Sequence, residues 1–294
     1  MLFRSDDVGY VPRPDRRLTA RRVYQGRITY NVIYTIGPNG FRLVPGSAPR
    51  PVDGCILLMG DSITFGQGVE DRETYASRLA ELGERRWQVH NFGIPGWAPH
   101  QALAGLQSGR FQKAAGCTPT RVVFFFITDH YRRVAGYAPW EIHTPRYRVG
   151  ADGRPVRAGN FDSDGPPALA PPDSGRSLLT ANGWRRLVGL APLPSPPQAG
   201  LMQALMLEIA RTVKEIAPAA RFDVVLWTEE DDVVLDALAA ALTGAGVRLH
   251  PVERILPDYR KRWADYLLPD GDRHPTAATH ARIAGYLARE IVRQ

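Results

Sequence analysis

The stretch RVVFFFIT, residues 121–128, most constrains what this chain can fold into. It is apolar at nearly every position and rich in β-branched and aromatic residues. A strand with one face in water alternates with period two. A run without alternation belongs to a strand covered on both faces, as in a parallel sheet between helices. The surrounding segments agree. CILLMG (55–60) and WQVHNFG (87–93) read as short buried strands before it, and FDVVLWT (222–228) and VRLHPV (247–252) as strands after it. Helical patterns lie between and beyond: ETYASRLAELGER (73–85), PHQALAGLQSGRFQKAAG (99–116), LMQALMLEIARTVKEI (201–216), DDVVLDALAAAL (231–242), and a last helix from about 276 to 292. Repeated β-α-β spacing predicts an α/β fold, a parallel sheet with helices on both faces.

At 294 residues the chain has room for one large α/β domain with additions. Residues 1–50 form a separate N-terminal part. Its first 20 residues are polar and read as an extended arm. RITYNVIYTI (27–36) alternates as a half-buried strand, and GPNG (37–40) closes it with a turn. Residues 51–294 form the main domain, interrupted at about 135–200 by a Pro/Gly-rich insertion. Within it YRVGADGRPVRAG (147–159) reads as a hairpin and APLPSPPQAG (191–200) as a linker. Residues 140–198 follow the loop that carries Asp129, so they are expected to cover the carboxyl edge of the sheet as a lid or specificity insertion.

The formal charge of +7 is carried almost wholly by arginine, with lysine only at Lys113, Lys214 and Lys261. Arginine pairs such as Arg16-Arg17, Arg21-Arg22 and Arg132-Arg133 are separated by acids and apolar residues. No nucleic-acid partner is expected from a charge so dispersed. No apolar run is long enough to span a bilayer. The start, MLFRSDDVGY, has no signal-peptide core, which fits a cytoplasmic chain or an extracytoplasmic one trimmed of an upstream anchor. Cys55 and Cys117 each precede an apolar run. Adjacent strands would allow them to pair, but two buried free thiols is the favoured expectation. No C-x-x-C, H-E-x-x-H, G-x-G-x-x-G or Walker pattern occurs, so neither a metal nor a cofactor is expected.

In an open parallel sheet, ligands bind at the carboxyl ends of the strands. LLMGDSITFGQG (57–68) stops its apolar run at Gly60 and presents Asp61 and Ser62, followed by Gly66 and Gly68. Asn91 and Gly93 end the next strand, and Asp129 and His130 follow the third. Serine is a weak nucleophile unless a base takes its proton, and that base needs an orienting carboxylate. Of seven histidines, His274 has the best context, in LLPDGDRHPTAATHARIAGYLA (267–288), just before the last helix. Asp272, two residues upstream, is expected to orient its ring, and Asp270 to cap the turn. Trp97, Trp140 and Tyr147 are either sugar-flanking or packing residues. His100 is expected to be exposed on a first helical turn, and His90 to lie within the second strand.

GDSIT with Gly66 and Gly68, then NFGIPG, then an Asp–His pair before the C-terminal helix, together resemble the GDSL/SGNH hydrolase superfamily. The resemblance covers roughly residues 53–134 and 220–294. It implies a flavodoxin-like three-layer α/β/α fold and ester hydrolysis or acyl transfer through a serine. Ser62 would be nucleophile and His274 general base, with the backbone N–H groups of Ser62 and Gly93 in the oxyanion hole. The third block departs from the family pattern. Where that pattern has Asn-Asp, this chain has Thr128, Asp129 and His130. An ionised Asp129 cannot donate to an oxyanion, so His130 or Thr128 would have to; alternatively Asp129 pairs with Arg132 or Arg133. The short Asp272-Arg273-His274 spacing resembles acetyl-transfer relatives that act on bacterial polysaccharides. The expected function is therefore hydrolysis of a carbohydrate or small O-acyl ester through an acyl-enzyme, with acetyl as the acyl group. An O-acyltransferase acting on a sugar hydroxyl and a catalytically weak carbohydrate-binding module are the alternatives.

Overall fold

The computed structural model describes residues 2–161, 194–228 and 233–293. Five strands form one parallel sheet: β5 (Gly54–Gly60), β6 (Trp87–Gly93), β7 (Arg121–Ile127), β10 (Arg221–Trp227) and β11 (Arg248–Pro251). Their order is β11-β10-β7-β5-β6, so the first strand of the sheet lies between the second and third. That is the flavodoxin-like order, and its crossover beside β5 is where such sheets hold ligands.

The absence of alternation in these strands has a direct cause. Successive residues of a strand point to opposite faces, and here both faces are covered. Leu57, Met59, Phe124, Phe126 and Val224 enter one core, with Leu103 of α3 (Pro99–Gln107) and Met202, Leu205 and Ile209 of α6 (Pro196–Ile216). Ile56, Leu58, Val123, Phe125 and Val225 enter the other, with Tyr75 and Leu79 of α2 (Tyr75–Leu82) and Ile283 and Leu287 of α10 (Ala277–Leu287). Three layers result.

Several local expectations are corrected. Residues 1–20 are not a bare extended arm. β1 (Leu2–Ser5) and β2 (Gly9–Pro12) pair antiparallel, and Val8, Tyr10 and Val11 are buried against the main core. β3 (Arg16–Tyr24) then pairs with β4 (Arg27–Ile36) as a long hairpin. The 99–116 helix is two: α3 ends at Ser108, Gly109 takes φ 72°, and α4 (Arg110–Ala115) follows. The second half of the 191–200 linker is helical, because Pro196 opens α6 and Gln198 Oε1 accepts from the Ser195 N–H at 2.7 Å; residues 191–193 lie outside the described residues. In the insertion, Trp140 sits on the loop after β6, its Nε1 donating to Gly96 O. The β8 (Pro145–Val149) and β9 (Pro155–Asn160) hairpin lies along the helix layer instead of across the strand ends. Tyr147 reaches Gln107 at the far end of α3, and Arg154 pairs with Glu208 of α6. Residues 162–193, the rest of the expected lid, lie outside the described residues. No helix among the described residues is long and apolar enough to cross a membrane.

Cys55 and Cys117 are joined in a disulfide, not free as expected. The sequence places each near the start of a strand. The sheet order puts those strands, β5 and β7, side by side, with the two Cα atoms 6.3 Å apart. The bond closes a loop of 62 residues, for which the chain-entropy account gives about 4 kcal/mol. Replacing both cysteines with alanine should lower unfolding free energy by roughly 2–4 kcal/mol in urea titrations. The intact chain, unfolded without reductant, should show no thiol reactive toward a disulfide reagent.

Candidate active site

Ser62 owes its position to how β5 ends. Asp61 leaves the strand, and its Oδ1 accepts from the Ile63 N–H at 2.9 Å, capping the short helix α1 (Ser62–Phe65). Gly66 closes α1 with φ 82°, where a Cβ would meet the Thr74 side chain at 2.6 Å. Ser62 therefore stands on the first turn of a buried four-residue helix, its side chain just reaching the surface.

His274 comes to it from the other end of the chain. Leu267 bridges to Pro275, and the Leu268 N–H donates to His274 O at 2.8 Å. Asp270 and Gly271, with φ 62° and 71°, turn the chain sharply between them. This turn brings Asp272 back beneath the His274 ring. Asp272 Oδ1 accepts from His274 Nδ1 at 2.6 Å and from the His274 backbone N–H at 3.0 Å. His274 Nε2 lies 2.8 Å from Ser62 Oγ. With Nδ1 donating to the carboxylate, Nε2 is left to accept the serine proton. Burial would raise the pKa of Asp272. The His274 hydrogen bonds and charge, with Arg22, outweigh it and hold the carboxyl below its ordinary value. Asp270 does not reach His274; its carboxylate accepts from Thr29 at 2.9 Å and Arg27 at 3.2 Å.

The other predicted site residues are committed elsewhere. The Gly93 N–H donates to Asn91 Oδ1 at 3.0 Å, so the expectation that it forms the oxyanion hole is corrected. Gly93 is small because α1 packs on it: an added Cβ would sit 2.4 Å from the Phe65 N atom. Asp129 accepts from Arg132 Nε at 2.9 Å and Arg133 Nε at 2.7 Å. Burial pushes its pKa up, but the two guanidiniums more than reverse that, so it is a carboxylate and not a donor. His130 is fully buried between Phe124 and Phe126; its Nδ1 accepts from the Ile127 N–H, and its Nε2 faces Asp61 at 3.6 Å. Burial keeps it neutral. Asp129 as a carboxylate has no proton to donate, and His130 is wholly buried.

The remaining aromatic and histidine candidates separate cleanly. Trp97 and Tyr147 are buried and pack; Trp140 is 43% exposed at the site edge, with the Arg133 guanidinium 5.9 Å from its ring. His100 is buried against Glu141, not exposed, with Nε2 3.1 Å from the carboxylate. His90 lies in β6, and burial pushes its pKa down to about 4. Among the described residues, the one cluster with metal-ligand chemistry is Cys55, His90 and Cys117. With its sulfurs bonded to each other, it has no thiolate to offer.

Three arginines shape the site; of these the sequence singled out only Arg133, whose expected pairing with Asp129 the structure shows. Arg133 Nη1 holds Asp61 Oδ2 at 3.0 Å and Trp97 O at 2.9 Å, while its Nε holds Asp129. It thus ties together the segments that follow β5, β6 and β7. Arg42, buried, donates to Phe65 O, Gly66 O and Val69 O, fixing the glycine-rich loop after Ser62. Arg22 faces Asp272 at 3.3 Å. Arg22 had no sequence signal beyond its place in an arginine pair, and Arg42, alone in GFRLV, had none. Replacing Arg133 with Met would leave the wholly buried Asp61 carboxylate without its cation. Unfolding free energy should fall by roughly 3–5 kcal/mol in urea titrations, with Arg133→Lys losing less.

No known protein-family profile matches the chain, and no curated protein matches it in sequence. Solved structures do match in layout. A protein assigned provisionally to the lipolytic G-D-S-L family from Desulfitobacterium hafniense DCB-2 shares 10% identity, covering 81% of this chain and 99% of its own, at a TM-score of 0.45. The acetylxylan esterase Axe2 from Geobacillus stearothermophilus, as a catalytic mutant, shares 13%, covering 82% and 95%, at 0.43. A carbohydrate esterase family 2 enzyme from Corynascus thermopiles (Myceliophthora fergusii) shares 15%, covering 89% and 70%, at 0.44. Likeness at this level bears on neither substrate nor mechanism.

Proposed function

We propose that this protein hydrolyses an O-acyl ester through a Ser62 acyl-enzyme. The observation that supports this reading is the unbroken chain from Ser62 Oγ through His274 to Asp272, with contacts of 2.8 and 2.6 Å, at the carboxyl edge of the sheet. In this reading His274 Nε2 takes the Ser62 proton as Oγ attacks the ester carbonyl. Asp272 holds the ring and stabilises the imidazolium that forms. The imidazolium then protonates the departing alkoxide. A water, deprotonated by the same Nε2, attacks the acyl-serine, and Ser62 leaves with the returned proton.

The tetrahedral oxyanion needs donors. With Gly93, Asp129 and His130 engaged elsewhere, the donors left are the Ser62 N–H, on the first turn of α1, and the hydroxyl of Thr128, half-buried just past β7. Acetyl is the acyl group we favour, and a carbohydrate or small alcohol the leaving group. The Asp272-Arg273-His274 spacing and the exposed Trp140 at the edge favour one second reading, transfer of the acyl group to a sugar hydroxyl.

Turnover of p-nitrophenyl acetate, with and without an acceptor sugar, tests these readings together. Hydrolysis unaffected by acceptor supports the esterase. Acylated sugar at the expense of acetate supports the transferase. A folded protein with no turnover of any acyl ester leaves a binding module. Ser62→Ala should lower turnover by several orders of magnitude without unfolding the chain. Asp272→Asn should cost up to roughly 10⁴-fold, and Asp270→Asn far less. Thr128→Val should lower kcat by roughly 10²-fold with little change in KM, the mark of a donor used in the transition state.

A further inference from the structure

Asp272 has two carboxylate oxygens, and His274 uses one. The other, Oδ2, is buried and makes no hydrogen bond among the described residues, yet Arg22 Nη1 stands 3.3 Å from it. Arg22 Nη2 also reaches Asp270 O at 3.4 Å. On the paired strand, Arg27 and Thr29 hold the Asp270 carboxylate. Three side chains of one N-terminal hairpin thus bracket the turn that carries Asp272 and His274, some 250 residues away in sequence. The β3–β4 register shifts between Arg22 and Val23, a bulge at the point where the arginine turns to the site.

We propose that Arg22 is a positioning residue of the Ser62–His274–Asp272 site, so that the N-terminal hairpin is a working part of it. The proposal rests on the esterase reading for its consequence in catalysis, and on distances alone for the coupling itself. Two effects follow. A carboxylate hydrogen-bonded to His274 at one oxygen and ion-paired with Arg22 at the other is restrained from swinging about its own axis, which keeps Oδ1 under the His274 ring. The guanidinium also opposes the negative field that Asp272 exerts on that ring. Removing the cation lets the carboxylate favour the imidazolium more strongly, so His274 would bind its proton to higher pH.

The charged and titratable neighbours can be enumerated. Arg22, Arg27 and Asp270 border the turn on the hairpin side. Tyr34 of β4 feels the Asp272 charge, His280 of α10 feels that of His274, and Arg273 lies between the two site residues in sequence. Burial holds His280 neutral, with its Nδ1 accepting from the Tyr75 N–H. Among the described residues, Arg22 is the arginine or lysine within ion-pair distance of the Asp272 carboxylate.

The test uses the full chain with Arg22→Met, Arg22→Gln and Arg22→Lys. The first readout is the titration of the His274 ring proton by NMR, assigned with His274→Gln. In the Met and Gln variants the midpoint should rise by about half a pH unit to one unit, a shift limited by the partial exposure of Arg22. In Lys it should stay close to wild type. In an Asp272→Asn background, Arg22→Met should lower kcat no further, because the positioning acts through that carboxylate. The second readout is the pH profile of kcat/KM for p-nitrophenyl acetate. Its acid limb should move upward by the same amount, with kcat about tenfold lower and KM little changed.

A lower melting temperature with an unmoved His274 midpoint in the Gln and Met variants would mean a merely structural arginine and overturn the proposal. So would an equal loss of kcat in the Asp272→Asn background. If Met fails to fold, Gln removes the charge while keeping a polar N–H donor on a shorter side chain, and decides the matter. A wild-type chain with no ester turnover would overturn the reaction proposed above and leave the NMR shift to stand or fall alone. Intact turnover with no shift would overturn the role of Arg22 alone.

Discussion

The carboxyl edge depends on one buried ion pair. Asp61 lies wholly out of water between Ser62 and the end of β5, and Arg133 is its cation. Removing a carboxylate from water costs several kcal/mol, which only a well-placed partner and further hydrogen bonds offset. Here the Ile63 N–H supplies one such bond, and the guanidinium extends the network to Asp129 and the Trp97 carbonyl. The consequence is geometric. The segments after β5, β6 and β7 cannot move apart without stranding a charge, and Ser62 sits at their junction.

A second layer of polar contacts comes from the N-terminal part, which serves as a frame for the site. Arg42 collects three carbonyls of the loop after Ser62, with its guanidinium 4.4 Å from the Tyr34 ring centroid. The Gly68 N–H donates to the Tyr34 hydroxyl, and the backbone N–H groups of Ile33 and Thr35 donate to Glu70 and Asp71. The same hairpin reaches the Asp270–His274 turn through Arg22, Arg27 and Thr29. β4 therefore holds the loop after Ser62, while residues near the hairpin tip hold the turn that carries Asp272 and His274. Two loops far apart in sequence share a common brace.

The pattern of right and wrong expectations has a physical logic. Residues 57–62 were legible because a buried strand that ends on Asp-Ser is chemically unusual. Asp272 over Asp270 was legible because an i to i+2 carboxylate can fold back onto its histidine, and the left-handed Asp270 and Gly271 make that turn. Gly93 was misread because a glycine at a strand end has two uses. It can free an N–H for a ligand, or let a helix approach; here α1 occupies the space a Cβ would need. His130 was misread because its neighbours in sequence, Asp129 and Arg132, are polar, while its neighbours in space are Phe124 and Phe126.

By itself the sequence determined the layered α/β fold, since strands without alternation have no stable place except under helices on both faces. It also marked the strand ends where polar residues interrupt a buried run, although two of them, Asp61 and Asn91, turn out to be buried. What tertiary structure alone decided was every long-range pairing of charge. Arg22 with Asp272, Arg42 with the Phe65–Val69 carbonyls and Arg133 with Asp61 join residues 23 to 250 positions apart. An arginine side chain reads the same in sequence whether it ends in water or in the core. Only packing, which removes water from one arginine and leaves it around the next, determines which of them must find a carboxylate.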